Sequence, residues 1–216
     1  MSGISTSGTI TGLFLVFMLL GYSTQAQTKG AFVDERDGRS YETVTYTIKG
    51  APKTITDHDE YGTYLSGETK AFEASFPDGA PSSITWMTRN LNYDTTDSKC
   101  QYESDENCET HGRLYTWDDA MNVCPAEWHL PSDEEWFLLA SLYDSVASAG
   151  KHLKSKDLNG TNKSRFNVKK SSIFWSSFEI DAESAMDWKV NYRWEKLQRW
   201  KGGKGLFNSV RCVQDY

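Results

Sequence analysis

One C-terminal segment, residues 188–204, combines two side-chain types that suit polysaccharide binding. It interleaves tryptophans with basic residues in a chain whose net charge is −7. Aromatic faces stack on sugar rings, and cations attract acidic polymers. We therefore predict a ligand-binding surface in this basic-aromatic segment. Its candidate residues are Trp188, Trp194, Trp200, Arg193, Arg199 and Lys201.

The alternative for this segment is a sheet whose tryptophans point inward and whose charges are solvated. If residues 187–194 form one strand, Trp188 and Trp194 lie on the same face, which suits either interpretation. Trp200 is the first choice for an exposed ring. It precedes a glycine-rich stretch that suits a mobile loop, and Arg199 and Lys201 flank it with charges that are costly to bury.

A second aromatic concentration, residues 112–139, holds Trp117, Trp128 and Trp136 between two helix-start signatures. Large aromatic side chains in such positions each bury about 150–250 Å² and fill cores. We predict that these three rings pack in the core. His129 stands alone in this stretch, and we expect it to satisfy a backbone group instead of acting as a base. No catalytic residue is assigned.

The four cysteines allow three disulfide pairings. Cys100 and Cys108 flank a short acidic loop with few apolar residues, and a local bridge would hold it. That choice leaves Cys124 with Cys212. The alternative, a structural zinc site, lacks the CxxC spacing and a histidine at ligand distance.

The acidic loop 94–109 has two interpretations. Asp94, Asp97, Asp105 and Glu106 offer oxygen ligands to calcium, but their spacing matches no EF-hand. The other interpretation is a solvated loop held by a disulfide. We assign no metal site and no cofactor.

Composition and the N-terminus bear on location and partners. The acidic balance argues against nucleic-acid binding, which needs a basic surface. Residues 10–22 form an apolar run too short for a comfortable membrane span, and a plausible cleavage site follows Ala26. We predict a signal peptide at residues 1–26, with an uncleaved N-terminal anchor as the alternative. Export favours disulfides and leaves no membrane span in the mature chain.

The helices and strands predicted from the sequence indicate an α+β fold. Residues 27–82 are β-rich, and they form part of the main domain or a small accessory lobe. The tryptophan-rich core spans residues 83–216. One helix is predicted from Thr116 to about Val123 and another from Ser132, each with a capping signature. Strands follow at 172–178, 187–194 and 208–214.

Six motifs occur in the order typical of one family. They are FVDERDGRSYETV, TWMTRNLNY, C…C…HGRLYTWDDAM, CPAEWHLPSDEEW, FWSS and SVRCV. Over about residues 32–214 the chain resembles the Fibrobacter succinogenes major paralogous domain, common in exported proteins of Fibrobacter and Bacteroidetes. It departs from that pattern at residues 165–172, where a longer family segment is shortened.

Two of these motifs also resemble segments of formylglycine-generating sulfatase-modifying enzymes, a group related to the C-type lectin fold. The resemblance implies a C-type-lectin-like or sulfatase-modifying-factor-like domain, with two short helices and a twisted antiparallel sheet after a β-rich N-terminal segment. An oxidase of that group would carry a reactive cysteine pair near the C-terminus, whereas only Cys212 follows Cys124. We therefore expect that this protein is not an enzyme.

The sequence thus favours a secreted, periplasmic or surface-exposed bacterial binding or surface-assembly module, with carbohydrate as the preferred ligand. Its expected partner is a polysaccharide or a cell-surface protein. The alternative is a structural component of the cell envelope or an appendage without a small ligand. A formylglycine-generating-type oxidase is a more distant alternative.

Overall fold

The computed structural model describes residues 26–49, 54–59, 70–76 and 79–216. The predicted signal peptide lies outside the described residues, apart from Ala26. The described parts of the chain form a mixed α+β structure, which confirms the predicted class at that level. No helix among them is long and apolar enough to cross a membrane.

The strands are short and are distributed along the whole described chain. They are β1 Gln27–Val33, β2 Ser40–Thr47, β3 Thr54–Asp59, β4 Lys70–Ser75, β5 Ser83–Met87, β6 Leu114–Tyr115, β7 Trp128–His129, β8 Ser172–Asp181, β9 Ser184–Val190, β10 Leu197–Gly203, β11 Asn208–Ser209 and β12 Val213–Gln214. The α-helices are α1 Asp105–His111, α2 Trp117–Val123, α3 Asp133–Ser141 and α4 Val146–Leu153. Single 3-10 turns cover Gln101–Glu103 and Lys156–Leu158.

The described strands form two five-stranded sheets and one two-stranded sheet. The first sheet has the order β1-β2-β5-β12-β7, and its neighbours are all antiparallel. The second has the order β10-β9-β8-β11-β6, with one parallel contact between β8 and β11. β3 pairs only with β4 among the described strands. Because β2 pairs with β5, the N-terminal strands belong to the same sheet as part of the tryptophan-rich core.

The two predicted helix starts are confirmed. The Thr116 side chain accepts a hydrogen bond from the Asp119 amide at the start of α2. At the start of α3, Ser132 and Glu135 form a capping box: the Glu135 amide donates to Ser132 Oγ, and the Ser132 amide donates to Glu135 Oε2. Each bond satisfies an amide that has no partner within its helix. Helices α1 and α4 were not predicted.

The second sheet separates two hydrophobic clusters. Adjacent residues of a strand face opposite sides, and on β8 Phe174 lies in one cluster and Trp175 in the other. In the first cluster the Trp136 ring lies 4.8 Å from Trp86 and 5.9 Å from Trp188, between centroids. The core is therefore built mainly of aromatic rings from α3 and both sheets.

A buried carboxylate joins α3 to three strands of the second sheet. Asp133 is fully buried and accepts hydrogen bonds from Ser176 Oγ on β8 (2.7 Å) and Trp188 Nε1 on β9 (2.9 Å). It also forms an ion pair with Arg199 on β10, with Nε 2.6 Å from Oδ2. Burial is the largest influence on the Asp133 carboxyl and raises its pKa, while these three partners oppose that rise. The carboxylate therefore fixes the helix on the sheet.

Both predicted disulfides are present, as Cys100–Cys108 and Cys124–Cys212. The first bridge joins Cys100 to Cys108, which lies in α1. Part of the acidic loop 94–109 is therefore helical, whereas the sequence predicted a solvated loop. The second joins the C-terminal end of α2 to the residue before β12. The second bridge therefore links α2 to the first sheet.

Candidate ligand-binding site

The most exposed part of the basic-aromatic segment is the connection between β9 and β10, residues 191–196, which we name the aromatic turn. Tyr192 and Trp194 are each 46% exposed there. The Arg193 guanidinium lies 5.2 Å from the Tyr192 ring centroid, and the Lys196 ammonium lies 5.3 Å from the Trp194 centroid. The turn therefore presents two aromatic rings with cations against them.

A buried lysine holds the backbone of the aromatic turn. Lys154 follows α4 and is only 2% exposed. Its ammonium donates to the carbonyl oxygens of Trp194 (2.7 Å), Asn191 (3.1 Å) and Tyr192 (3.5 Å). Burial lowers the pKa of this ammonium. Three charge-assisted contacts from one buried group fix the turn in a single backbone arrangement.

Helix α4 supports the other end of the turn. The Lys151 amide donates to the Glu195 carbonyl (2.8 Å), and the Lys151 ammonium pairs with the Glu195 carboxylate (2.6 Å). A Cβ at Gly150 would lie 2.3 Å from the Lys196 carbonyl oxygen, so only glycine allows this close approach. The exposed rings therefore stand on a rigid support.

The prediction that Trp188 belongs to the ligand surface is wrong. Strand β9 ends at Val190, so Trp188 and Trp194 do not share one strand face. The Trp188 ring is fully buried against Trp136 and Phe137. Its indole donates to a core carboxylate, which removes the cost of burying that polar group.

The prediction for Arg199 is also wrong. Its side chain is 6% exposed and pairs with Asp133, so a charge that is costly to bury is compensated inside the protein. Trp200 is half-buried, with the Lys189 ammonium 5.1 Å from its ring centroid. Lys201 is exposed and pairs with Asp181 (3.1 Å). Trp194 therefore replaces Trp200 as the leading candidate for a ligand contact.

The prediction of core packing for residues 112–139 is confirmed: Trp117, Trp128 and Trp136 are all buried. The expectation for His129 is wrong, because its ring contacts two carboxylates instead of a backbone group. Nε2 lies 2.9 Å from Glu135 Oε1, and Nδ1 lies 2.6 Å from Asp215 Oδ1. The hydrogen bond to Glu135, supported by Asp215, raises the pKa of His129 to about 9. The imidazolium thus ties the last residues to α3.

A second surface, which sequence reasoning missed, is a cleft made of three adjoining depressions; we name it the cationic cleft. The central depression, of about 40 Å³, is lined by four basic residues among others: Arg89, Lys169, Lys170 and Arg211. It shares Arg89, Asn90 and Gly112 with a second depression of about 210 Å³. It shares Thr88 and Asn167 with a third of about 280 Å³.

Asn90 fixes the walls of the cationic cleft relative to one another. Its side-chain amide donates to the His111 carbonyl (2.9 Å), and its oxygen accepts from Arg211 Nε (2.8 Å). Gly112 has a φ of 76°, and a Cβ there would lie 2.7 Å from the Asn90 Cβ and from the Leu91 carbonyl. Any larger residue at Gly112 would thus strain the backbone and push this wall away.

The sequence held a signal for this cleft. Three family-like motifs, TWMTRNLNY, HGRLY and SVRCV, supply Asn90, Gly112 and Arg211 respectively. The motifs lie far apart along the chain, so only their meeting in the fold shows the cleft. The segment where the chain departs from the family pattern, residues 165–172, forms another wall with Asn167, Lys169 and Lys170.

The acidic loop does not gather its carboxylates. Asp94 pairs with Arg113 (2.8 Å), and Asp105 and Glu106 lie in the first turn of α1. Within the described part of the chain, no group of three or more His, Cys, Asp or Glu side chains is placed to hold a metal ion.

The fold and these surfaces define a disulfide-bonded α+β domain that presents a rigid aromatic turn and a polar, basic cleft. The chain belongs to the Fibrobacter succinogenes major domain family, whose model matches residues 82–214. This match confirms the family resemblance, and five of the six motifs lie within it; the first motif, at residues 32–44, lies outside the matched residues. Comparisons with curated proteins and with solved structures gave no significant match.

Proposed function

We propose that this protein is an exported, non-catalytic module that binds carbohydrate through the aromatic turn. One observation carries the proposal: Tyr192 and Trp194 are exposed on a turn whose backbone is held by the buried Lys154. An aromatic side chain normally buries most of its surface, so two exposed rings on a rigid support favour a contact surface.

Carbohydrate is the ligand that best fits the chemistry of the turn. The C–H faces of sugar rings pack on flat aromatic faces, and sugar hydroxyl groups accept hydrogen bonds from neighbouring Lys and Arg side chains. Because the backbone is already fixed, binding would lose little conformational entropy. A sugar stacked on Trp194 would lie within reach of Lys196, which contacts that ring.

Two disulfides support export. Such bonds persist in oxidising compartments and are rare in the cytosol. The same bonds support a non-catalytic role over a formylglycine-generating-type oxidase, because all four cysteines are joined in two pairs and none is a free thiol. Export and the absence of catalysis are therefore part of the proposal.

We further propose that the fold is a variant of the C-type-lectin-like group. Support comes from the mixed α+β composition, the mainly antiparallel sheets and the long connections such as residues 88–113. The bridge between α2 and the chain end, Cys124–Cys212, agrees with a domain whose terminal strand lies inside a sheet.

A binding screen against soluble and insoluble polysaccharides tests the proposed function. We expect at least one polysaccharide to bind the purified protein, and Trp194→Ala to lose that binding while keeping its melting temperature. Tyr216→Ala is the matched control, because Tyr216 is an exposed aromatic side chain outside the turn. Absence of binding to every polysaccharide, or equal binding by Trp194→Ala, would reject the proposal.

A second candidate, a structural component of the envelope or an appendage, is favoured by strand β1. It lies at one end of the first sheet, and five of its seven residues are exposed. A sheet edge can pair with a strand of another copy. Light scattering would support this role if the protein forms concentration-dependent assemblies that Ala31→Pro abolishes, since proline removes a backbone donor.

A further inference from the structure

The cationic cleft has the opposite charge to the protein as a whole. The chain has a net charge of −7. The lining nevertheless contains seven lysines and arginines: the four of the central depression, Arg39 in the second, and Lys29 and Arg165 in the third. Among the described lining residues two are acidic, Glu109 and Glu42, and Glu109 pairs with Arg39 (2.8 Å), so cations remain in excess. Such a concentration of one sign in a concave surface attracts anions.

Arg211 is the strongest single indication of an anionic ligand. Its side chain is 3% exposed, yet it lines the central depression. Its guanidinium bonds to Asn90 and to the Phe166 carbonyl and lies 4.2 Å above the Phe166 ring. No carboxylate among the described residues lies within ion-pair distance of it. Burial lowers its pKa to about 9.

A buried guanidinium without a counter-ion is costly, and an anion in the depression would remove that cost. This differs from Arg199, the other buried arginine of the core, whose charge is compensated by Asp133. Burial is the largest influence that lowers the pKa of the neighbouring His111, and the positive charges of Lys170 and Lys169 lower it further. These two lysines therefore contribute positive potential within the cleft.

We propose that the cationic cleft binds the carboxylates of an acidic, uronate-type polysaccharide. Carboxylates match the planar fork of arginine, and the small central depression fits such a group. Three adjoining depressions lined by cations fit a polymer that carries a charge on successive sugars. The proposal deepens the carbohydrate-binding function and rests on it for the ligand class.

The cleft and the aromatic turn share a supporting segment. Lys169 and Lys170 line the cleft, and the next residue, Ser171, accepts a hydrogen bond from the Tyr192 amide (3.0 Å). The two surfaces are therefore connected through adjacent residues of the chain, and the proposal has one polysaccharide contacting both, with its sugar faces on the rings and its carboxylates in the cleft.

Polygalacturonate and its fully methyl-esterified form separate charge recognition from sugar recognition. They share the same backbone, and only the first carries carboxylates. We expect the protein to bind polygalacturonate, to bind the ester at least about tenfold more weakly, and to lose this preference at high salt as the charges are screened.

Two double variants test which basic residues bind polygalacturonate. Arg89→Ala/Lys169→Ala removes two exposed cations of the cleft, so we expect the fold to persist and polygalacturonate binding to fall about tenfold. Lys156→Ala/Lys163→Ala is the matched control, since it removes the same charge from exposed lysines that line none of the three depressions. Equal loss in both pairs would show a general charge effect and overturn the proposal.

The same measurements distinguish a failure of the cleft proposal from a failure of the proposed carbohydrate binding by the aromatic turn. Equal binding of polygalacturonate and its ester, with loss of both in Trp194→Ala, would overturn the cleft and keep the aromatic turn. Binding of polygalacturonate that needs Arg89 and Lys169 but not Trp194 would keep the cleft and reject the turn. Binding to neither polymer would overturn the uronate assignment, while the wider polysaccharide screen would still decide the proposed function.

Discussion

Replacing Asp133 by alanine should be among the most destabilising single changes in the protein. The fully buried carboxylate accepts three hydrogen bonds at 2.6–2.9 Å, from Ser176, Trp188 and Arg199. Removing one partner of a buried ion pair costs about 3–5 kcal/mol, because the other charge stays buried. A buried donor left without an acceptor costs about 1–3 kcal/mol more. Allowing for partial relaxation, we expect a total loss of about 4–6 kcal/mol.

Urea unfolding followed by tryptophan fluorescence, with the disulfides intact, measures this loss. Glu134→Ala is the matched control, since Glu134 lies in the same helical turn but is only half-buried. It should cost about 0.3–1 kcal/mol through the helix dipole. Asp133→Asn should fall between the two, because the amide keeps one acceptor and loses the charge. The reasoning is refuted if Asp133→Ala unfolds at the same urea concentration as Glu134→Ala.

Three further changes test separate parts of the structure. Trp136→Ala should cost about 3–5 kcal/mol of unfolding free energy, whereas Trp194→Ala should leave the melting temperature nearly unchanged; equal melting temperatures would contradict the placement of Trp136 in the core. Because the folded pKa of His129 is raised to about 9, its contribution to stability is full below pH 6.5 and is lost as the pH rises through 9, so the stability difference between wild type and His129→Gln should shrink over that range. Replacing Cys124 and Cys212 together by alanine should cost about 4–5 kcal/mol in the chain-entropy model, and a thermal melt identical to wild type would oppose this.

Local signals in the sequence predicted the local parts of the fold. The capping patterns at Thr116 and Ser132 depend on residues three apart, and both helix starts are where those patterns place them. The disulfide pairing followed from the short acidic loop between Cys100 and Cys108, which left one remaining pair. The tryptophans of residues 112–139 are buried as predicted: Trp117 and Trp136 lie on α2 and α3, and Trp128 lies on β7.

The candidate site depends on contacts between residues that are far apart in the sequence, and local sequence patterns do not predict such contacts. The sequence pattern predicts one strand over residues 187–194, but the strand ends at Val190, so Trp188 is buried in the core and Trp194 is exposed. Arg199 is buried because Asp133, 66 residues earlier in the chain, compensates its charge. The cationic cleft combines motifs at residues 88–90, 111–112 and 211, and no spacing rule relates them.

The most direct test of the central claim is ¹⁹F NMR of the protein labelled with 5-fluorotryptophan, titrated with the polysaccharide that binds best in the screen. The chain has eight tryptophans, and the resonance of Trp194 is identified by its loss in Trp194→Ala. We predict that this resonance shifts on titration, while those of the buried Trp136 and Trp188 stay in place. A bound polysaccharide that leaves the Trp194 resonance unchanged would contradict the aromatic turn as the carbohydrate-binding site.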